Sequence, residues 1–206
     1  MKQIDSVIFD AGGVLHAGNT AVTQDLSKEL GLDSTAIKQI WAEQIPLLGS
    51  GKITEEEFWR QVRNIHGIRS VDPLENLLGR AFTETLTPYP EVGRIVEELG
   101  KHGIVTAVLS NTIEPHARAL RDAGLYDAFT GPILLSHEIG FRKPDERIYK
   151  YALGELGIEP SRALFVDDDE ENVAVARSLG MSGAVYSSPQ QLRAELSEHL
   201  PWLSEK

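Results

Sequence analysis

Acidic residues stand at the ends of two apolar segments of this 206-residue chain. Asp10 ends the segment VIFD and is followed closely by Gly12 and Gly13. Asp167 ends a second apolar segment, ALFVD, and Asp168 follows it directly. A carboxylate can attack a phosphorus atom, and carboxylate oxygens are the hard ligands that Mg²⁺ prefers. The pattern therefore predicts a phosphoryl-transfer site that combines the nucleophile Asp10 with a divalent cation.

Other residues at segment ends could hold the oxygens of a phosphate group. Ser110 ends the segment IVTAVLS, and its hydroxyl can donate a hydrogen bond, as can the backbone N–H of Asn111. Lys143, in GFRKPD, would neutralise a phosphate oxygen and keep the nucleophilic carboxylate ionised. Gly12 and Gly13 would let backbone N–H groups approach the phosphate closely. We therefore predict phosphate binding by these five residues.

The apolar pattern predicts a scaffold that can bring these distant residues together. Short β-branched segments alternate with helical ones, which is typical of a doubly wound parallel α/β sheet. The predicted strands are 7–10, 104–110, 132–136, 163–167 and 183–186. The predicted helices between them are 90–102, 114–123, 145–156, 170–179 and 188–198. Ligands of such sheets bind beyond the carboxyl ends of the strands, which is where the candidate residues fall.

Residues 17–87 interrupt this alternation with helical patterns alone. The predicted helices of this region are 20–30, 34–48, 54–66 and 73–85, the last with a start signal at Asp72 and Pro73. We therefore predict a Rossmann-like core of residues 1–16 and 88–206, and an inserted helical cap domain of residues 17–87.

Composition limits the partners and the compartment that we expect. The net charge is −11, from 20 Lys and Arg against 31 Asp and Glu, which disfavours binding to nucleic acid or anionic lipid. Cysteine is absent, so disulfides and thiolate metal sites are excluded. We find no signal-peptide core and no segment of membrane-spanning length. We expect a cytoplasmic protein, and its oligomeric state stays open.

Four blocks, FDAGGVL, LSNT, GFRKPD and FVDDDEENV, resemble in type and order the haloacid dehalogenase-like (HAD) hydrolase superfamily. The resemblance implies a Rossmann-like core in which Asp10 is the nucleophile. It also implies Mg²⁺ held by Asp10, by the backbone carbonyl of Gly12 and by Asp168. The acidic segment itself makes Asp167 a further candidate metal ligand. Ser110 and Lys143 would bind the phosphate.

The region 17–87 resembles the C1-type cap of subfamily I of that superfamily. The chain departs from its usual phosphatase pattern at Gly12, where a second Asp usually protonates the leaving alkoxide and then activates water. Such proton transfer is worth about 10²–10⁴-fold in rate, so its loss should slow turnover, least for esters with good leaving groups. A sugar-phosphatase-like subgroup is similar to this chain, with Gly at the same place. His16 is a candidate replacement, although a lone His is more often structural.

The resemblance and the residues together predict a Mg²⁺-dependent phosphatase of a small phosphorylated metabolite, with a sugar phosphate as one candidate. The reaction would pass through an aspartyl phosphate on Asp10. Two alternatives stay open. A metal-independent 2-haloacid dehalogenase would use Asp10 on carbon, but such enzymes lack the acidic pair of Asp167 and Asp168. A non-catalytic protein that binds phosphate esters is supported by Gly12 alone.

Overall fold

The computed structural model describes residues 3–18, 20–68, 72 and 75–204. In this part of the chain, five parallel strands form one sheet in the order β3-β2-β1-β4-β5. The strands are β1 (Ser6–Phe9), β2 (Val105–Ser110), β3 (Ile133–Leu135), β4 (Ala163–Asp167) and β5 (Ser182–Val185). Each predicted strand is confirmed to within one residue at either end. The predicted α/β class with a doubly wound parallel sheet is therefore confirmed.

Four helices lie between β1 and the rest of the core, and we call them the four-helix segment. They are α1 (Thr20–Leu30), α2 (Ser34–Leu48), α3 (Glu55–His66) and α4 (Leu77–Thr85). Thr54 and Glu57 form a capping box at the start of α3, as their spacing indicates. The predicted start of the fourth helix was wrong. Asp72 is not helical, Pro73 lies outside the described residues, and Asn76 caps α4 instead by accepting a hydrogen bond from the backbone of Gly79.

The remaining helices cover both faces of the sheet. They are α5 (Pro90–Lys101), α6 (Glu114–Asp122), α7 (Ser136–Ile139), α8 (Glu146–Leu156), α9 (Glu170–Ser178) and α10 (Pro189–His199). The single turn α7 was not predicted, and neither were the 3₁₀ turns at Pro160–Arg162 and Pro201–Ser204. Within the described residues, no helix is long and apolar enough to cross a membrane.

Strand register places the ends of β1 and β4 side by side. Ile8 in β1 is paired with Ala107 in β2 and with Phe165 in β4, and all three side chains are buried. From β1 the chain first builds the sheet on one side, through β2 and β3, and then on the other, through β4 and β5. The crevice at such a switch of direction is the usual ligand site of an open α/β sheet.

Hydrogen bonds at two places attach the four-helix segment to the core. Its incoming and outgoing chains run side by side: the Ala17 N–H donates to the Thr87 carbonyl at 2.9 Å, and the Tyr89 N–H donates to the Leu15 carbonyl at 2.8 Å. Farther along, the buried Ser136 hydroxyl donates to the carbonyl of Gly49, just after α2, at 2.6 Å. The end of α2 is therefore attached to the start of α7, directly after β3.

Candidate active site

A buried lysine lies between two buried carboxylates where β1 and β4 end. The Asp10 N–H donates to the Val166 carbonyl at 2.8 Å, which fixes Asp10 beside the end of β4. Lys143 Nζ lies 2.8 Å from Asp10 Oδ1 and 2.6 Å from Asp167 Oδ2. One positive and two negative charges thus share a site with little solvent. The net negative charge favours a further cation beside them.

A third carboxylate extends this cluster toward solvent. Asp10, Asp167 and the exposed Asp168 each place one oxygen so that these atoms lie within 4.8 Å of one another. Asp168 crosses directly over Gly13, because a Cβ built on Gly13 would lie 2.2 Å from Asp168 Oδ2. Gly13 also has φ +79°, a left-handed conformation that glycine adopts without strain. Carboxylate oxygens in this arrangement suit a hard divalent cation such as Mg²⁺.

Asp167 has its oxygens occupied by protein groups. Besides Lys143, its carboxylate accepts the backbone N–H of Asp169 at 2.9 Å and the side-chain amide of Asn172 at 3.2 Å. This carboxylate therefore positions Lys143, whereas Asp10 and Asp168 have oxygens that remain available to a cation. Asn172 therefore supports Asp167. Asp169 caps α9.

The charges of the cluster shift one another's pKa values. Burial raises the pKa of Asp10 to about 6, against the opposing effect of Lys143, and Asp167 adds to the rise. Burial alone would lower the pKa of Lys143, but Asp10 and Asp167 raise it above its ordinary value. Partial burial and the nearby Asp167 raise the pKa of Asp168. A cation bound among these carboxylates would favour their ionised forms.

The end of β2 joins the cluster through the loop that carries Lys143. Ser110 is buried as the last residue of β2. The Asn111 side chain accepts the Lys143 N–H and donates to the Lys143 carbonyl, both at 2.8 Å. Sequence reasoning assigned only the backbone of Asn111 and missed this role of its side chain. The side-chain amide fixes the backbone of Lys143. Binding of phosphate by Asn111 stays a prediction.

Gly12 leaves open space where phosphatases of the resembling family carry an acid. The nearest described atom to a Cβ built on Gly12 is Cε1 of His16, at 4.0 Å. His16 is buried, and its Nδ1 lies 2.6 Å from the Ala17 carbonyl oxygen. Burial lowers the pKa of His16, so the ring is neutral near neutral pH. The imidazole therefore borders the position of the missing acid without occupying it.

A second imidazole lies behind His16, across the ring of Phe82. The Phe82 ring meets His16 edge-on at 5.4 Å and stacks on His116 at 4.2 Å between ring centroids. His116 is nine-tenths buried, and its Nε2 has no hydrogen-bond partner within the described residues. Burial, with a smaller effect of His16, lowers the pKa of His116 to about 3, so this side chain is neutral.

A cavity of about 780 Å³ separates the four-helix segment from the loop after β2. Its wall includes Asn111 and Arg142 on the core side. On the other side is Trp41 of α2. Trp41 is only half-buried, and its Nε1 donates to Thr23 Oγ1 at 2.9 Å. Trp59 of α3 is fully buried. The sequence did not predict this cavity, because helical periodicity gives no information on which buried faces stay apart.

Comparisons with known proteins agree with this architecture. A solved HAD family enzyme from Bacteroides thetaiotaomicron, in complex with magnesium and inorganic phosphate, has a similar fold with a TM-score of 0.76. The two sequences are 24% identical, and the match covers 89% of this chain and 94% of that enzyme.

Curated relatives include enzymes with two different activities. The sesquiterpene phosphatase astK of Aspergillus oryzae is 31% identical over 180 residues, which are 86% of this chain and 87% of that protein. The (S)-2-haloacid dehalogenase 4A of Burkholderia cepacia is 26% identical over 193 residues, or 88% of this chain and 82% of that protein. The family model of haloacid dehalogenase-like hydrolases matches residues 4–180. The chain therefore belongs to the haloacid dehalogenase-like hydrolases.

Proposed function

We propose that this hydrolase is a Mg²⁺-dependent phosphatase of small phosphorylated molecules. The observation that carries the proposal is the position of Lys143 Nζ, 2.8 Å from Asp10 and 2.6 Å from Asp167, beside the third carboxylate of Asp168. Lysine alone would leave two of these three acids without a counter-charge, so the site suits a divalent cation and an anionic substrate. The similarity to a sesquiterpene phosphatase supports the same activity.

The proposed reaction has two displacements at phosphorus. A carboxylate oxygen of Asp10 attacks phosphorus, the ester P–O bond breaks, and the leaving alkoxide takes up a proton. Water then attacks the acyl phosphate on Asp10, releases inorganic phosphate and restores the carboxylate. Lys143 keeps Asp10 ionised and binds a phosphate oxygen together with Ser110 and the backbone of Gly13. When held by Asp10, the Gly12 carbonyl and Asp168, Mg²⁺ would neutralise charge on the phosphate.

The four-helix segment would act as a cap domain over this site. Its two connections to the core lie side by side at residues 15–17 and 87–89. The first of them follows the loop that carries Asp10. The division into a core of residues 1–16 and 88–206 and a cap of residues 17–87 is part of the proposal. A cap at this position would exclude water from the acyl phosphate and would contact the leaving group.

Release of phosphate tests the proposal directly. The wild-type protein should release phosphate from alkyl phosphates and p-nitrophenyl phosphate with Mg²⁺, and a chelator should abolish the release. Asp10→Asn should lose at least about 10³-fold in rate, since it removes the nucleophile. Asp145→Asn is a matched control, because this residue caps α8 two positions beyond Lys143 and Asn caps a helix equally well. Equal loss in both variants would contradict the proposal.

A dehalogenase is the second candidate, and the similarity to an (S)-2-haloacid dehalogenase favours it. In that reaction Asp10 would attack carbon, displace chloride and form an ester, which water then hydrolyses. The cluster of Asp10, Asp167 and Asp168 opposes this alternative, because displacement of chloride needs no cation. Chloride release from 2-chloropropionate in the presence of a chelator, without phosphatase activity, would overturn the phosphatase proposal.

A further inference from the structure

The inner wall of the 780 Å³ cavity is built from apolar side chains of both parts of the protein. The apolar side chains are Val22, Ile37, Trp41, Ile45, Leu78 and Ile113. A volume of this size accommodates an organic group of substantial length. The cavity lies where the four-helix segment faces the loop after β2.

Several polar residues of the wall use their polar atoms within the protein. Thr23 accepts the hydrogen bond of Trp41, Ser27 donates to the Leu32 carbonyl at 2.7 Å, and Asn111 bonds the backbone of Lys143. A ligand rich in hydroxyl groups would leave most of them without partners here, which costs free energy for each one. His116 Nε2 and Arg142 Nε are exceptions: both atoms are buried without a hydrogen-bond partner among the described residues, and the imidazole offers one hydrogen bond without charge.

One residue of the cavity wall, Asn111, bonds the backbone of Lys143 and so connects the cavity with the proposed phosphate site, and the charges of the wall suit an anion. Asn111 and Thr112 in its wall follow Ser110 directly, and Arg142 precedes Lys143. Lys28 and Lys38 lie exposed at its rim, and none of the described residues in the wall carries a carboxylate. These cations would attract a phosphate ester against the net charge of −11.

We propose that this cavity binds the leaving group of the substrate and that the leaving group is an apolar alcohol. The substrate class is thus the monophosphate esters of alkyl or prenyl alcohols, with the phosphate at Lys143 and the hydrocarbon chain against Trp41 and Ile45. This inference rests on the proposed phosphatase activity. It differs from the sugar phosphate that the sequence suggested, whose hydroxyl groups this wall would leave unpaired.

The length of the alkyl chain in the substrate tests the proposed substrate class. Burial of one methylene contributes about 0.8 kcal/mol, which corresponds to about a fourfold rise in kcat/KM. From butyl phosphate to octyl phosphate, kcat/KM should rise by at least about tenfold, even with the added methylenes only partly buried. Octyl phosphate should also exceed glucose 6-phosphate. A smaller rise, or a preference for the sugar phosphate, would overturn the inference.

A matched pair of variants tests whether the hydrocarbon chain of the substrate lies in this cavity. Ile45→Gln places an amide in the wall at a half-buried position, whereas Ile65→Gln makes the same change on α3 at a side chain that is 61% exposed and outside the wall. Ile45→Gln should reduce the octyl-to-butyl ratio of kcat/KM by at least about fivefold. Ile65→Gln should leave the ratio unchanged. An unchanged ratio in both variants would refute binding in this cavity.

Binding to an inactive variant separates this inference from the phosphatase proposal. Calorimetry of Asp10→Asn with Mg²⁺ should give tighter binding of octyl phosphate than of butyl phosphate or glucose 6-phosphate. That result, together with an absence of phosphatase turnover by the wild-type protein, would support the cavity assignment and contradict the proposed reaction. Equal binding of all three compounds would overturn the cavity assignment while leaving the reaction untouched.

Discussion

Replacement of Gly12 by Asp would give the site the acid that it lacks. The backbone of Gly12 is not in the left-handed region, where a side chain would be strained, and its Cβ would meet nothing nearer than His16 Cε1 at 4.0 Å. That distance is an ordinary van der Waals contact, so the variant should fold. Gly13 is the matched opposite: it has φ +79°, and its Cβ would lie 2.2 Å from Asp168 Oδ2.

The expected gain follows from the chemistry of the leaving group. A positioned acid is worth about 10²–10⁴-fold when the leaving group needs a proton, as an alkoxide does. His16 is neutral and bonded to the Ala17 carbonyl, so it should not already supply that proton. We expect Gly12→Asp to raise kcat/KM for octyl phosphate by about 10²-fold. For p-nitrophenyl phosphate, whose phenolate leaves without a proton, we expect a rise of less than about threefold.

The assay is steady-state phosphate release from both esters with saturating Mg²⁺, with thermal unfolding as a check of folding. Gly12→Asn is the control for size and polarity, and it should show no gain because an amide transfers no proton. Gly13→Asp should lose activity and stability, since its side chain would displace Asp168. A folded Gly12→Asp protein whose kcat/KM for octyl phosphate stays equal or falls would refute the reasoning. It would also indicate that His16 already performs the proton transfer.

Three further predictions concern residues around this centre. Asn111→Ala should lower kcat by about 10²-fold with little change in KM for p-nitrophenyl phosphate, because Lys143 loses both bonds that fix its backbone. Lys143→Met should lower the free energy of unfolding in urea by about 3–5 kcal/mol without metal, since it leaves Asp10 and Asp167 buried without their cation. His116 is neutral when folded, with a pKa of about 3 against 6.5 in the unfolded chain. Between pH 6.5 and pH 3 the unfolded chain therefore binds one proton more than the folded protein. As the pH is lowered, this residue reduces the free energy of unfolding, by about 2 kcal/mol at pH 5. His116→Phe should remove that part of the pH dependence in urea titrations, and an unchanged slope would contradict it.

The strands and core helices were predictable because each has one strong local cause. Buried parallel strands are continuous apolar runs, as in ALFVD at β4, and the helices between them begin at residues such as Pro90 and Asp169 that favour a first turn. The predicted start of α4 was wrong because it also depended on a local signal alone. Asp72 and Pro73 form a good local start signal, but Asn76 caps the helix in the folded protein, and local propensity does not decide between two competing caps.

The sequence predicted only that the residues of the candidate site lie at the carboxyl ends of the strands. Parallel strands align their carboxyl ends, so Asp10 and Asp167 had to lie at the same edge of the sheet once the sheet was predicted. What each polar atom contacts depends on the tertiary packing. The Asn111 side chain and the Asp167 carboxylate both contact Lys143, which is distant from each of them in sequence. The cavity beside Trp41 has the same origin, because it depends on how two packed units meet.

The electrostatics of the site connect its stability with its function. Lys143 has only one positive charge for the two buried carboxylates that it contacts, and Asp168 adds a third acid at the edge of the cluster. Burial of charge is costly unless the charges are balanced, and here the protein itself does not balance them. A divalent cation would leave the cluster with a net charge of zero, and a phosphate ester would then be attracted by Lys143 and by the cations around the cavity. The absence of an acid at Gly12 is consistent with this balance, since a further carboxylate would add to the charge that the metal must offset.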